Sequence, residues 1–275
     1  MDVTIEQKIR DLQPWYHDFS ALGLATRTVE SSRSPLQNLF QNLNLLAQGL
    51  RQRGLGNYVE KRDVLSLRRL FRKNPDSHWV NQRHKEAILV PMLTNTLSKI
   101  GSEPRCLDLF CADGYYTCWM KKRSPDAHVT SIDLDARHLE RAQFAVDALG
   151  LNHGVEFKRE DVLNFVQQAP AFDLIFCTGG LYHLENPQQF LRNLGRTNSK
   201  FLIVQSVVTL TTEDENFFVT PAPGWKHGSR FTHAALRKWL IESGWHIEQE
   251  ARNTLTGNPR LLDRGSSYFL CRNSQ

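Results

Sequence analysis

Beginning at Cys106, short apolar runs alternate with amphipathic stretches, and this alternation constrains the fold more than any other feature of the chain. The runs have the length of buried strands, and the stretches between them have helical periodicity. Strands and helices that alternate in this way form a parallel sheet with helices on both faces. The pattern therefore predicts an α/β fold with a mostly parallel sheet.

The boundaries of these elements follow from the same pattern. The predicted strands are Cys106–Phe110, Val129–Asp133, Val155–Lys158, Phe172–Cys177, Phe201–Val207, Trp245–Glu250 and Ser267–Cys271. The predicted helices are Tyr115–Arg123, Arg137–Leu149, Val162–Gln168, Pro187–Leu194 and His233–Ser243. A stretch rich in turn-forming residues, 253–265, would join the last two strands by a broad turn.

The first hundred residues have a different character. We expect residues 1–100 to form a helical extension that precedes a sheet domain of residues 101–275. The predicted helices of the extension are Leu36–Leu50, Val64–Phe71 and Val80–Ile100, with a kink near Pro91. Exposed helices of this kind also favour a homodimer.

Positive charge is concentrated in this extension. It contains 15 Lys and Arg against nine Asp and Glu, whereas the remaining residues contain 19 against 20. A basic surface of this kind is typical of RNA binding. A solvated helical face, or an interface with the acidic half of the chain, also explains the charge, and the scarcity of aromatic residues favours this interpretation over RNA binding.

Composition excludes several classes of protein. No apolar run approaches the roughly 18–20 residues that span a bilayer, and the first residues do not form a secretory signal, so no membrane partner is expected. Five dispersed cysteines favour a reducing, cytoplasmic location over a disulfide framework. The common zinc, hydrolase and nucleotidase motifs are missing, and we therefore expect no metal site.

The segment Asp108–Gly114 carries the clearest sign of a ligand site. It follows the first predicted strand and opens a helix, which is where ligands bind in open α/β sheets. Phe110 and Ala112 occupy positions where a dinucleotide-binding loop has glycines, and only Gly114 remains. A ligand that places an amine and a carboxylate near Asp108 suits this loop better than a pyrophosphate.

Acidic residues also end the next two predicted strands. Asp133 is placed to accept hydrogen bonds from a ribose diol. Asp161 follows the third strand, where its alternative role is to cap a helix. Because the carboxyl ends of parallel strands share one edge of the sheet, these acids predict a common nucleoside site.

Four segments, Asp108–Gly114, Asp133, Asp161–Val162 and Phe172–Pro187, resemble the first four motifs of class I S-adenosylmethionine-dependent methyltransferases. The most specific is Leu181-Tyr182-His183-Leu184, followed by Pro187. The resemblance covers Cys106–Val207. It implies a Rossmann-like sheet of seven strands, the last antiparallel, and S-adenosylmethionine as methyl donor or as substrate.

The resemblance also implies a set of cofactor contacts. The Asp108–Gly114 loop would hold the methionine part, Asp133 the ribose and Asp161 the adenine amino group, with residues 177–179 near the sulfonium. The complete implied set is Asp108, Phe110, Cys111, Ala112, Gly114, Tyr115, Asp133, Leu134, Asp161, Val162, Cys177, Thr178 and Gly179.

Two titratable residues, Tyr182 and His183, directly follow the fourth strand and are the candidates for catalysis. A histidine with a pKa near about 6.5 can accept a proton at neutral pH, although it could instead pack within the loop. The tyrosine ring could contact a sulfonium or line the pocket. Three arginines expected at the same edge could bind a substrate carboxylate or phosphate, or be ordinary surface residues: Arg230, Arg260 and Arg264.

Three shorter segments, residues 15–17, 227–231 and 263–266, resemble a subgroup similar to tRNA wobble-uridine (carboxy)methyltransferases. Relatives of this broad kind include enzymes that cyclise S-adenosylmethionine to azetidine-2-carboxylate. The favoured function is methyl transfer to a small, anionic metabolite. One alternative is cyclisation of S-adenosylmethionine with release of methylthioadenosine. Another is modification of tRNA, which the basic extension would bind. A non-enzymatic cofactor-binding module is a more distant alternative.

Overall fold

The computed structural model describes residues 4–27, 77–258 and 260–274. Its helices are α1 (Ile5–Asp11), α2 (Ser77–Leu97), α3 (Tyr115–Arg123), α4 (Ala136–Ala148), α5 (Val162–Gln168), α6 (Pro187–Gly195) and α7 (His233–Glu242). Its strands are β1 (Arg105–Leu109), β2 (His128–Asp133), β3 (Val155–Arg159), β4 (Leu174–Thr178), β5 (Phe201–Val208), β6 (Phe218–Val219), β7 (Arg230–Phe231), β8 (Trp245–Thr254) and β9 (Gly265–Asn273).

Seven of the strands form one sheet in the order β3-β2-β1-β4-β5-β9-β8. Strands β1 to β5 are mutually parallel, and β9 pairs antiparallel with both β5 and β8. The predicted seven-stranded sheet with an antiparallel last strand is confirmed. The strand order reverses between β1 and β4, and the carboxyl ends of strands at such a point form the ligand crevice of open α/β sheets.

Alternate residues of the central strands supply two separate hydrophobic cores. Cys106 and Phe176 face one core, which α2, α3 and α4 cover. Leu107 and Cys177 face the other, which α5, α6 and α7 cover. Strands covered on both faces are mostly apolar, as the near-continuous apolar runs of β4 and β5 show.

Residues 4–27 pack on the first core. Trp15 is 4% exposed and its ring centroid lies 6.1 Å from that of Phe144 on α4. Arg141 and Lys122 donate to main-chain oxygens of this segment at 2.7 and 2.6 Å. The division at residue 100 stays a prediction, and the predicted helices Leu36–Leu50 and Val64–Phe71 lie outside the described residues.

Several predicted boundaries need correction. Strand β1 ends at Leu109 because Phe110 adopts a φ of 59°. Strands β8 and β9 are longer than predicted because their antiparallel pairing continues to Thr254 and Gly265. Within the described part of the chain, no helix is long and apolar enough to cross a membrane.

Candidate functional site

A cavity of about 540 Å³ opens at the carboxyl ends of β1, β2, β3 and β4. Its volume lies within the range of small-molecule sites, which is roughly 300–1,000 Å³. Most of the residues predicted to form the site line this cavity together: Asp108, Phe110, Cys111, Ala112, Asp133, Leu134, Asp161, Val162, Thr178, Gly179, Tyr182 and His183. The three acids at the carboxyl ends of β1, β2 and β3 thus line one cavity together with the end of β4.

Three predicted cofactor residues lie behind the cavity wall. Gly114 precedes α3 with a φ of 76°, and a Cβ there would come within 2.8 Å of the Cβ of Ala142. Tyr115 is 1% exposed, and Cys177 belongs to the second core. Contacts of these three with the cofactor stay predictions.

The loop after β1 has the backbone shape of a glycine-rich loop without most of its glycines. Phe110 and Ala112 have φ values of 59° and 48°. This left-handed region costs an ordinary residue roughly 1–2 kcal/mol. Phe110 and Ala112 therefore add side chains to the loop, while its backbone keeps the left-handed conformation that glycine adopts most easily.

Asp108 is a buried carboxyl group at the floor of the cavity. It is 1% exposed, and the Thr117 hydroxyl donates to its Oδ2 at 2.7 Å. Burial raises the pKa of Asp108 to about 7, so that its charge changes near neutral pH. A cation bound beside Asp108 would favour the ionised form.

Asp133 is held rigidly at the end of β2. Its Oδ2 accepts from the amide of Ala112 at 3.0 Å, and its Oδ1 accepts from the amide of Asp135 at 2.9 Å and from the His138 ring at 3.3 Å. The hydrogen bond from His138 raises the pKa of that histidine. Because a carboxylate has about four lone-pair positions, Oδ2 can accept one further hydrogen bond from a ligand hydroxyl.

Asp161 caps a helix and also lines the cavity. Its Oδ1 accepts from the amide of Leu163 at 2.9 Å and so caps α5. The same residue lines the cavity beside Val162. Its contact with the adenine amino group stays a prediction.

Tyr182 and His183 form a short 3-10 turn after β4, at the cavity edge. The turn is fixed from behind, because the amide of Ser229 donates to the carbonyl oxygen of Tyr182 at 3.0 Å. Partial loss of water and the nearby Arg230 guanidinium lower the pKa of His183. The imidazole is therefore neutral at pH 7 and able to accept a proton.

The three predicted substrate arginines cluster behind this turn, and none is among the described residues that line the cavity. Arg230 and Arg260 both form ion pairs with the buried Asp263. Arg230 also lies over the Tyr182 ring, 5.7 Å from its centroid. Arg264 donates to the main-chain oxygen of residue 258 at 2.9 Å. In the structure Arg230 supports the turn, whereas Arg260 and Arg264 stabilise the segment around Asp263. Contact of the three arginines with a substrate stays a prediction.

Asp113, within the predicted cofactor loop, makes a long-range contact that the sequence did not reveal. Its carboxylate is completely buried and accepts from the amides of Tyr16 and His17 at 2.8 and 2.7 Å, and contacts the His17 ring nitrogen at 2.6 Å. The His17 ring stacks on Tyr115 with centroids 4.7 Å apart. These contacts place residues 16 and 17 in the cavity wall. A contact between residues 96 apart leaves no local signal in the sequence.

Helix α2 adds a second unpredicted wall. Gln82, Lys85 and Leu89 line the cavity from one face of this helix. Their spacing of three and four residues is typical of a helix face, but two polar residues and one leucine on a helix face do not by themselves indicate a site. Lys85 is the one Lys or Arg among the described lining residues.

These features fit S-adenosylmethionine. Asp108 needs a positive partner to ionise while buried, and Asp133 offers an oriented oxygen to a ribose hydroxyl. Asp161 and Val162 extend the cavity along the sheet edge. The described residues could thus hold the sulfonium, the ribose and the adenine in one continuous space.

Comparison with known proteins agrees with this assignment of the cavity. A family model described as "Methyltransferase domain" matches residues 100–249. A tRNA U34 carboxymethyltransferase of Wolinella succinogenes is 26% identical over 186 residues, which cover 66% of this chain and 64% of that protein. The chain spans 22% to 64% of the length of the curated relatives that it matches.

Solved structures share the fold. One is the N-terminal domain of EvdMO1, crystallised in the presence of S-adenosylhomocysteine and D-fucose, with a TM-score of 0.54 at 16% identity. The superposition covers 98% of this chain and 95% of that domain. The [4+2]-cyclase SpnF has a TM-score of 0.53 at 16% identity, with 67% of this chain and 80% of its own covered. With the cavity and the family match, these findings show that the chain belongs to the class I S-adenosylmethionine-dependent methyltransferases and uses that cofactor.

Proposed function

We propose that this chain transfers the methyl group of S-adenosylmethionine to a small, anionic metabolite. The observation that supports this most is the cavity itself, in which the acidic strand ends share one space of about 540 Å³ with Lys85. The volume lies within the range of small-molecule sites, and Lys85 adds a positive charge to the wall that α2 forms. A negatively charged acceptor would be attracted to that side.

When bound, the cofactor supplies an electrophilic methyl group on a sulfonium. The work of the protein is then mainly to orient the two reactants, and this can account for a large share of the acceleration. Asp133 would fix the ribose and Asp108 would balance the positive charge. Neutral His183 would accept a proton from an acceptor that must lose one, and the Phe110 ring would keep water from the reacting atoms.

The first test is to incubate the purified protein with S-adenosylmethionine, alone and with fractions of small metabolites, and to identify the nucleoside product. Methyl transfer to a metabolite predicts S-adenosylhomocysteine that forms only with an acceptor fraction. Methylthioadenosine accumulating without any acceptor would instead indicate cyclisation to azetidine-2-carboxylate. That alternative draws support from the altered loop, because Phe110 narrows the space beside the methionine end.

Modification of the tRNA wobble uridine is a second candidate. It is favoured by the relatives named tRNA U34 carboxymethyltransferase, at 26% and 25% identity. The excess positive charge of the first hundred residues fits a phosphate-binding surface. Affinity for unmodified tRNA that falls steeply with salt, together with methyl incorporation into that tRNA, would support this candidate over a metabolite.

A further inference from the structure

Two buried polar groups in the cavity wall have no hydrogen-bond partner among the described residues. The Gln82 side chain is 3% exposed, and its Nε2 makes no hydrogen bond. The hydroxyl group of Tyr116, a residue 6% exposed, is also without one. Buried polar groups in proteins are almost always paired, so two unpaired groups in one ligand cavity point to a partner that binds there.

The chemistry of the two groups limits what that partner can be. The amide of Gln82 and the hydroxyl of Tyr116 can both donate a hydrogen bond. Burial raises the pKa of Tyr116 well above its usual value, so the hydroxyl keeps its proton at neutral pH. Two donors facing one space suit an oxygen with several lone pairs, above all that of a carboxylate.

Their place in the fold narrows the location. Tyr116 is the second residue of α3, directly after the loop Asp108–Gly114, and Gln82 lies on α2, which packs against α3 on the same face of the sheet. Both groups therefore lie toward the β1 end of the cavity, away from the adenine side formed by Asp161 and Val162.

We propose that Gln82 and Tyr116 form a subsite that binds a carboxylate by hydrogen bonds. The carboxylate can come from the amino-acid end of the cofactor or from the methyl acceptor. The second source rests on the proposed function, whereas the first requires only that the cavity holds the cofactor.

Calorimetry on the full chain and on its Gln82→Leu and Tyr116→Phe variants tests the proposal. The probes are S-adenosylhomocysteine and 5′-methylthioadenosine, which lacks the amino-acid carboxylate. If the subsite binds the cofactor, each substitution lowers the affinity for S-adenosylhomocysteine about tenfold or more and leaves the affinity for methylthioadenosine unchanged.

If the subsite binds the acceptor, affinity for both nucleosides is unchanged in the variants. Acetate, used as the carboxylate probe, then raises the melting temperature of the wild-type protein saturated with S-adenosylhomocysteine, and this rise is lost in both variants. Variants that keep the nucleoside affinity and the acetate response of the wild type would overturn the proposal.

The melting temperature of the ligand-free protein separates binding from a structural role. Removing an unpaired buried group should leave that temperature unchanged or raise it, while ligand affinity falls. Tyr268→Phe is the matched control, because the Tyr268 hydroxyl donates to Asn253 at 3.0 Å and does not line the cavity. It should lower the melting temperature and leave ligand affinity unchanged. A loss of affinity in the Gln82 and Tyr116 variants that merely follows a lower melting temperature would contradict the subsite.

Discussion

The ring of Phe110 lies directly over the backbone of Gly180. A Cβ added at Gly180 would come within 2.0 Å of the ring's Cγ. The two residues belong to the loops after β1 and β4, so the ring joins two walls of the cavity. The bulky residue that replaces a glycine in the first loop is thus matched by a glycine in the second.

This pairing predicts a non-additive effect of two substitutions. Gly180→Ala alone should reduce the free energy of unfolding by about 1–3 kcal/mol, because the added methyl group displaces the ring. In the Phe110→Gly background the same change should cost less than about 1 kcal/mol. Urea denaturation of the four proteins of the cycle measures both values. Equal costs of Gly180→Ala in the two backgrounds would show that the ring does not occupy this position.

The raised pKa of Asp108 predicts that cofactor binding depends on pH. Burial raises this pKa to about 7, and a cationic ligand favours ionised Asp108. Affinity for S-adenosylmethionine should therefore increase as the pH rises from 6 to 8. Calorimetry near pH 7 in buffers of different ionisation enthalpy should detect the release of up to roughly half a proton.

Asp108 should make the stability of the ligand-free protein depend on pH in the opposite direction. Between the unfolded pKa of about 3.9 and the folded pKa of about 7, the folded state retains a proton that the unfolded state releases. The contribution of Asp108 to stability thus decreases as the pH rises through this window. Asp108→Asn should remove the pH dependence of both cofactor affinity and stability. If the variant kept these trends, another group would be the one that titrates.

The contact of Asp113 with residues 16 and 17 predicts that this aspartate couples the N-terminal segment to the cofactor loop. Asp113→Asn should lower the free energy of unfolding by about 1.5–3 kcal/mol, since it weakens hydrogen bonds to a charged acceptor. It should also weaken cofactor binding. The exposed Asp147→Asn serves as control and should change stability by less than about 0.5 kcal/mol.

The lowered pKa of His183 predicts the pH range of catalysis. If its neutral ring accepts a proton, turnover at saturating substrate should stay constant at neutral pH and fall only below the usual histidine pKa of about 6.5. His183→Gln should reduce kcat with little change in the KM for the cofactor. If the variant kept the wild-type rate, His183 would have a packing role and would not accept the proton.

The sheet and the acidic strand ends could be predicted because each rests on local patterns. Asp108, Asp133 and Asp161 follow apolar runs, and parallel strands bring their ends to one edge. The roles of Asp113 and Arg230 could not be predicted, because their partners His17 and Asp263 are distant in sequence. Asp263 pairs with Arg260, three residues away, and with Arg230, 33 residues away, and the second of these pairs leaves no local pattern in the sequence.

The most direct test of the central claim is a calorimetric titration of S-adenosylmethionine into the wild-type protein and the Asp133→Ala variant. If the acidic strand ends hold the nucleoside, the wild type binds one equivalent and the variant binds at least about tenfold more weakly, because a charged acceptor of the ribose hydroxyl is lost. Equal affinity in the two proteins, or no heat with either, would contradict the account.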